Sequence, residues 1–255
     1  MNDHELAGRL ARQAGELLLQ VRAEAGEEKV DEKELRSRGD NRSNDFILET
    51  LARERPDDAV LSEESKDDPA RLNAARVWIV DPVDGTREYA EGRDDWAVHI
   101  ALVSGGKPIA GAVALPGMQK VLVTKPAPTV VGPVPERMRL VVSRTRPPKV
   151  ATYLAEQLDA ELVPMGSAGA KTMAIVLGQA DVYAHAGGQY EWDSCAPVAV
   201  AAAAGLFTSR LDGSPLVYNN ADPYLPDLLV CRREVEVKVR AAIATAPPGS
   251  FETAS

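Results

Sequence analysis

Apolar residues fall at Leu6, Leu10, Leu17, Leu18 and Val21 with polar residues between them, which predicts an amphipathic helix over residues 3–24. The next stretch, Gly26–Asp40, is dense in charge without an apolar period and reads as a loop or weak hairpin. Helical spacing returns through Phe46, Ile47 and Leu51 over Ser43–Arg55, and Pro56 stops it. Short β-type runs follow at Ala59–Ser62, Val77–Val80, Trp96–Val103, Ile109–Leu115 and Lys120–Thr124. In the third, Trp96, Val98, Ile100 and Leu102 share one face, the pattern of a half-buried strand.

Residues 125–136 carry Pro126, Pro128, Pro133 and Pro135 and have no apolar period. They mark the expected boundary between an N-terminal α+β domain (1–130) and a C-terminal α/β domain (131–255). Beyond it, strand-like Arg139–Ser143, Glu161–Met165 and Ala180–Ala184 alternate with helical Val150–Leu158, Ala168–Leu177 and Asp193–Ala204. That alternation predicts a layered α/β arrangement. Leu206–Arg210 and Leu216–Tyr218, around the turn Asp212-Gly213-Ser214, read as a hairpin. A strand at Leu228–Cys231 and a helix at Glu234–Thr245 follow, and the tail Pro247–Ser255 is expected to fray.

Composition narrows the function. The chain has 255 residues, 38 acidic and 29 basic, for a net charge of −9. Such a balance argues against a nucleic-acid-binding surface. An anionic ligand would need a local reversal of the field. Cys195 and Cys231 make no disulfide framework and are expected as buried thiols. The N-terminus lacks the apolar core of a signal peptide, and the longest apolar run, Ala196–Ala204, is far short of a membrane span. The expectation is a cytoplasmic protein without a membrane contact.

Carboxylates sit where strand-like runs end. Ala59–Ser62 ends in Glu63-Glu64, and Val77–Val80 ends in Asp81-Pro82-Val83-Asp84-Gly85-Thr86. Acids at a sheet edge lie where α/β proteins hold ligands. Pro82 fixes its own φ and Gly85 permits a tight turn, so Asp81, Asp84 and the Val83 carbonyl can aim at one point. Converging hard oxygen ligands suit Mg²⁺. Taken singly, each motif has a plainer meaning. The hexamer passes as a turn, Glu63-Glu64 as a solvated pair, Asp193 as a helix cap and Asp40 as a turn acid.

Together, Glu63-Glu64-Ser65, Trp78-Ile79-Val80-Asp81-Pro82-Val83-Asp84-Gly85-Thr86 and Trp192-Asp193 resemble the inositol monophosphatase superfamily. Within it, Asp84-Gly85-Thr86-Arg87-Glu88-Tyr89, Gly92–His99, Gly166–Lys171 and His185–Asp193 are similar to the 3′(2′),5′-bisphosphate nucleotidases, the actinobacterial form above all. The resemblance covers residues 5 to 245. It implies an α/β/α/β/α sandwich of the inositol monophosphatase and fructose-1,6-bisphosphatase type. It also implies a Mg²⁺-dependent, Li⁺-inhibited phosphatase acting on 3′-phosphoadenosine 5′-phosphate. Inositol monophosphates or fructose 1,6-bisphosphate are the alternative substrates. The superficially similar Asp-x-Asp-Gly-Thr of haloacid-dehalogenase-type enzymes spaces its acids two apart, whereas Asp81 and Asp84 are three apart across Pro82.

Carried over position by position, the resemblance gives Glu63, Asp81 and the Val83 carbonyl to a first metal, and Asp81, Asp84 and Asp193 to a second. Glu63 and Asp40 would hold a third, weaker one. Asp40 is placed by its 16-residue spacing to Pro56, and the family's Thr-x-Ala-Asp reads here Ser37-Arg38-Gly39-Asp40. Thr86 and Asp40 would form the proton-accepting dyad beside Glu63. Asp84, Gly85, Thr86, Ser143, Arg144 and Lys171 would contact substrate. Arg87 and Arg93 could add positive charge, and Tyr190 could stack on a base. His99 reads as a satisfied core histidine, and His185 stays unassigned. The resemblance leaves monomer and homodimer both open.

Overall fold

The computed structural model describes residues 1–251. The chain begins with two long helices, α1 (Asp3–Glu28) and α2 (Glu32–Glu54). Asn2 and Glu5 close α1 with a capping box, and the Asp31 carboxylate caps α2 by accepting the Glu34 N–H at 2.8 Å. The expected loop over Gly26–Asp40 is therefore helix on both sides of a short break. Its charges pair as Glu32–Arg36 and Glu34–Arg38 one turn apart, and Arg38 also reaches Glu28. The segment lacks an apolar stripe because one side faces water, so periodicity could not reveal it. Asp40 thereby sits on a helix.

Sheet one has the order β1 (Ala59–Ser62), β2 (Val77–Asp84), β3 (Ala97–Ser104), β4 (Lys107–Leu115), β5 (Lys120–Val123). β1 runs parallel to β2, and the rest pair antiparallel. Short α3 (Thr86–Ala90) follows β2. The second sheet has the order β7 (Glu161–Met165), β6 (Arg139–Ser143), β8 (Val182–Tyr190), β10 (Tyr224–Cys231), β9 (Phe207–Ser209). The proline-rich stretch lies between β5 and β6. β9 pairs with β10, so the expected hairpin is not formed. The turn at Asp212–Ser214 is present, but Tyr218 N–H goes to the Gly106 carbonyl at 3.0 Å instead of a strand partner.

Five layers result. α1 and α2 cover one face of sheet one, burying Trp78, Val80, Trp96, Val98, Ile100 and Leu102 with Leu6, Leu10, Leu18 and Ile47. α5 (Ala168–Val176) and α6 (Glu191–Ala203) fill the space between the sheets, against Ile79, Ala101, Tyr183 and Val230. α4 (Lys149–Leu158) and α7 (Glu236–Ala244) cover the outer face of sheet two. This is the α/β/α/β/α order. β3 alternates as expected but is buried on both faces rather than half-buried, because α5 and α6 cover Ala97, His99 and Ala101. Among the described residues no helix is long and apolar enough to cross a membrane.

Candidate metal and phosphate site

β2 pairs with β3 through Asp81 opposite His99 and Asp84 opposite Ala97. Three steps on β2 thus match two on β3, a one-residue bulge. Without it, residues three apart would point to opposite faces; with it, Asp81 and Asp84 share one. The lack of an N–H on Pro82 suits this break in the ladder. The Val83 N–H folds back onto Asp81 Oδ1 at 3.0 Å, and Ser43 Oγ donates to the Pro82 carbonyl at 3.0 Å. Gly85 takes φ +88°, which lets the chain turn from β2 into α3.

α6 brings Asp193 to the same place from its first turn. Its Oδ2 accepts the Tyr190 N–H at 2.7 Å, so Asp193 does serve the helix end. Even so, Asp81, Asp84 and Asp193 each offer an oxygen within 4.8 Å of the others. Cap and ligand are compatible roles for one carboxylate, which has lone pairs enough for both.

Burial, together with charge on Glu63, Asp84 and Asp193, raises Asp81 well above the usual carboxylate range. Burial and the charge on Asp84 push Asp193 up to about 7. Asp84 is the exception. Burial opposes its ionisation, but the His99 charge, the Ser167 hydroxyl and the Gly169 N–H outweigh that and hold it at about 2. It is the most heavily partnered acid of the set. Ala168 N–H lies 3.1 Å from Oδ1, Gly169 N–H 2.6 Å from Oδ2, and His99 Nε2 3.1 Å from Oδ2. Asp81 Oδ2, by contrast, is buried with no hydrogen-bond donor among the described residues. A buried carboxylate oxygen without a donor, among other carboxylates, fits a cation. The residues present therefore suit a divalent metal.

Glu63 stands just past β1, its N–H on the Val80 carbonyl at 3.3 Å, next to Asp81 but outside the three-acid group. Its side chain is reached by solvent, yet loss of water around the carboxyl and the charge on Asp193 raise it to about 8. The turn it belongs to is held to α2 by Asn44, which accepts from Ser62 Oγ at 2.7 Å and donates to Ser65 Oγ at 3.1 Å. Asp40 meets Thr86: Thr86 Oγ1 lies 3.4 Å from Asp40 Oδ1 and 3.0 Å from the Val83 carbonyl. Burial and the charge on Glu64 raise Asp40 to about 7, against the Thr86 hydrogen bond.

A cavity of about 300 Å³ opens beside Gly85 and Thr86, lined also by Arg87, Glu88, Ser143, Arg144, Arg146, Gly166, Ser167 and Lys171. The predicted substrate residues Gly85, Thr86, Ser143, Arg144 and Lys171 therefore share one space. Lys171 is buried, with Nζ donating to the Gly166 and Ser167 carbonyls at 2.7 Å each. Arg93 does not join them. It forks onto Asp95 at 2.7 and 2.8 Å, and Asp95 in turn accepts the Gly166 N–H. Tyr190 stacks on Trp192 with centroids 4.9 Å apart. His185 Nε2 donates to the Gly187 carbonyl at 2.6 Å.

His99, Ser167, Gly169 and Asn44 are the site residues that sequence reasoning did not assign. The one available signal was His99 itself, a polar side chain on a strand face otherwise filled by Ala97 and Ala101.

The inositol monophosphatase family pattern matches residues 3–242. A "3′-phosphoadenosine 5′-phosphate phosphatase" of Mycobacterium tuberculosis (strain CDC 1551 / Oshkosh) is 53% identical over 242 residues, covering 91% of this chain and 90% of that protein. The "3′(2′),5′-bisphosphate nucleotidase CysQ" of Escherichia coli (strain K12) is 32% identical over 238 residues, covering 85% and 94%. The crystal structure of CysQ from Bacteroides thetaiotaomicron superposes with a TM-score of 0.78 at 26% identity, covering 89% of this chain and 96% of that one.

Proposed function

The chain belongs to the inositol monophosphatase family, and on that premise we propose that it is a metal-dependent phosphatase that hydrolyses 3′-phosphoadenosine 5′-phosphate to AMP and phosphate. One observation carries the reading. At Asp84–Thr86 a three-carboxylate cluster adjoins a cavity lined by four cationic side chains, Arg87, Arg144, Arg146 and Lys171. An acidic chain thereby acquires a local place for a multiply charged anion.

Asp81, Asp84 and Asp193, with Glu63 and the Val83 carbonyl, would hold two Mg²⁺, and Asp40 with Glu63 a third, weaker one. Bound there, Mg²⁺ supplies positive charge to the phosphoryl oxygens and acidifies a water. Phosphoryl transfer asks the protein chiefly for positioning and charge. Thr86 Oγ1 takes a proton from the attacking water as its own moves to Asp40 Oδ1. Asp40, raised to about 7, is matched to a base near neutrality. The water oxygen joins phosphorus, and the 3′-oxygen leaves and takes up a proton. Gly85 and Thr86 N–H groups hold phosphoryl oxygens. Arg144 and Lys171, beside Ser143, meet the second phosphate.

The test is phosphate release from 3′-phosphoadenosine 5′-phosphate, inositol 1-phosphate and fructose 1,6-bisphosphate with Mg²⁺, with and without Li⁺ on the order of tens of millimolar. The bisphosphonucleotide should give the highest kcat/KM, and Li⁺ should inhibit by competing for the hard-oxygen sites. Release from another ester but none from the nucleotide overturns the reading.

A further inference from the structure

Arg144 is held from the α3 side. Its Nη2 donates to Glu88 Oε1 at 2.9 Å and to Glu91 Oε2 at 2.7 Å. Glu88, in α3, and Glu91, which caps its end, are three residues apart and share one face of the turn that follows Thr86. Glu88 is buried and wedged against Gly166, where an added Cβ would come 2.3 Å from its Cγ. The carboxylate is therefore fixed by the backbone it leans on. Arg144 itself rides on the end of β6, in the other sheet.

A guanidinium has five N–H donors. Glu88 and Glu91 take two of them, both on one nitrogen. Nε is shielded from water and has no acceptor among the described residues. That leaves the donors of the other terminal nitrogen for an anion that enters the cavity Arg144 lines. Arg144 lines the cavity at the start of α3 together with Lys171, whose ammonium spends two of its three protons on carbonyls.

An acid in the wall of an anion-binding cavity, as Glu88 is, with Glu91 close behind, otherwise works against binding. We propose that Glu88 and Glu91 are positioning residues. They grip Arg144 by one nitrogen and present its remaining N–H groups to the second phosphate of the substrate, so that they set the preference for a bisphosphate over a monophosphate. This rests on the nucleotide-phosphatase reading and adds to it how the second phosphate is selected. An arginine without that grip would sample many rotamers, and each contact would have to bear the cost of ordering it.

The experiment compares kcat/KM for 3′-phosphoadenosine 5′-phosphate with that for 3′-AMP, which lacks the 5′-phosphate. Wild type, Glu88→Gln/Glu91→Gln, Arg144→Ala and the triple variant are measured with saturating Mg²⁺. The bisphosphate-to-monophosphate ratio should fall about tenfold or more in Arg144→Ala, the scale of one charge-assisted hydrogen bond. It should fall comparably in the double glutamine variant, chiefly through KM for the bisphosphate. The triple variant should show no further loss, because the acids act only through the arginine. Glu88→Asp/Glu91→Asp, which keeps the charges, should recover part of the ratio. A general folding defect would depress both substrates alike and leave the ratio unchanged; that result, or losses that add in the triple variant, overturns the proposal. A wild-type enzyme that hydrolyses neither nucleotide overturns the functional reading itself, and this inference with it.

Discussion

His99 Nε2 lies 3.1 Å from Asp84 Oδ2, with both side chains buried and β3 carrying one, β2 the other. The same imidazole donates from Nδ1 to the Trp192 carbonyl at 3.0 Å; a carbonyl only accepts, so Nδ1 carries a hydrogen. One ring therefore ties the bulge that bears Asp84 to the turn of α6 that bears Asp193. Burial opposes charge on the ring, but Asp84 outweighs it and raises the imidazole above its ordinary value. His99→Ala should lower stability by about 3–5 kcal/mol, the cost of leaving one partner of a buried pair uncompensated. Chemical denaturation measures it. A loss below about 1 kcal/mol would mean that Ser167, Ala168 and Gly169 hold Asp84 unaided.

Gly169 exists on the same terms. A Cβ there would stand 2.0 Å from His99 Nε2, inside any permissible contact. Gly169→Ala should destabilise by about 1–3 kcal/mol or more, as overpacking does. Removing the imidazole makes room for the methyl group. His99→Ala/Gly169→Ala should therefore be more stable than the sum of the single losses by about 1 kcal/mol. Strict additivity in the double-mutant cycle would disprove the contact.

The metal-free protein should lose stability as pH rises through neutrality. Glu63 is raised to about 8, Asp40 and Asp193 to about 7, and Asp81 well above its ordinary value, so between about pH 4 and 8 the folded state holds more protons than the unfolded. Stability then falls with pH over that window. Asp84, held at about 2, acts in the opposite sense, and only below about pH 4. Excess Mg²⁺ should offset the loss, so the rise in Tm on adding metal should grow from pH 5 to 8.5. A metal effect on Tm that is flat with pH would separate these acids from the binding site.

What could be read from the chain and what could not divide along a physical line. Asp81 and Glu63 stand where apolar runs end, a position that carries ligands in α/β proteins, and Asp84 follows Asp81 across one turn. Asp193 alone reads as a helix cap, and only the resemblance joined it to Asp81 and Asp84, beside which the structure brings it. The helix under Asp40 was not, since residues 32–39 pair their charges along a solvated face and leave only Leu35 and Gly39 buried. Arg93 resembled a site cation by proximity, but Asp95, two residues on, claims it. The support of Asp84 by Ser167, Ala168 and Gly169 joins residues 83 to 85 positions apart across the interlayer space, and no local pattern encodes that.

Asp193→Asn tests the metal assignment with the least disturbance to the fold. The asparagine carbonyl can still accept the Tyr190 N–H that Oδ2 accepts now, so the end of α6 stays closed. The substitution removes a carboxyl whose ionisation burial and Asp84 oppose, so the metal-free variant should unfold at or above the wild-type temperature near pH 8. Turnover should nonetheless fall by at least about a hundredfold, the scale on which losing one stabiliser of transition-state charge is felt. Raising Mg²⁺ should recover little of it, because the amide brings no negative charge to the cluster. Calorimetry of the metal-free form alongside phosphate release at several Mg²⁺ concentrations separates the two effects. A variant that keeps wild-type turnover would take Asp193 out of the metal site and leave it a helix cap alone.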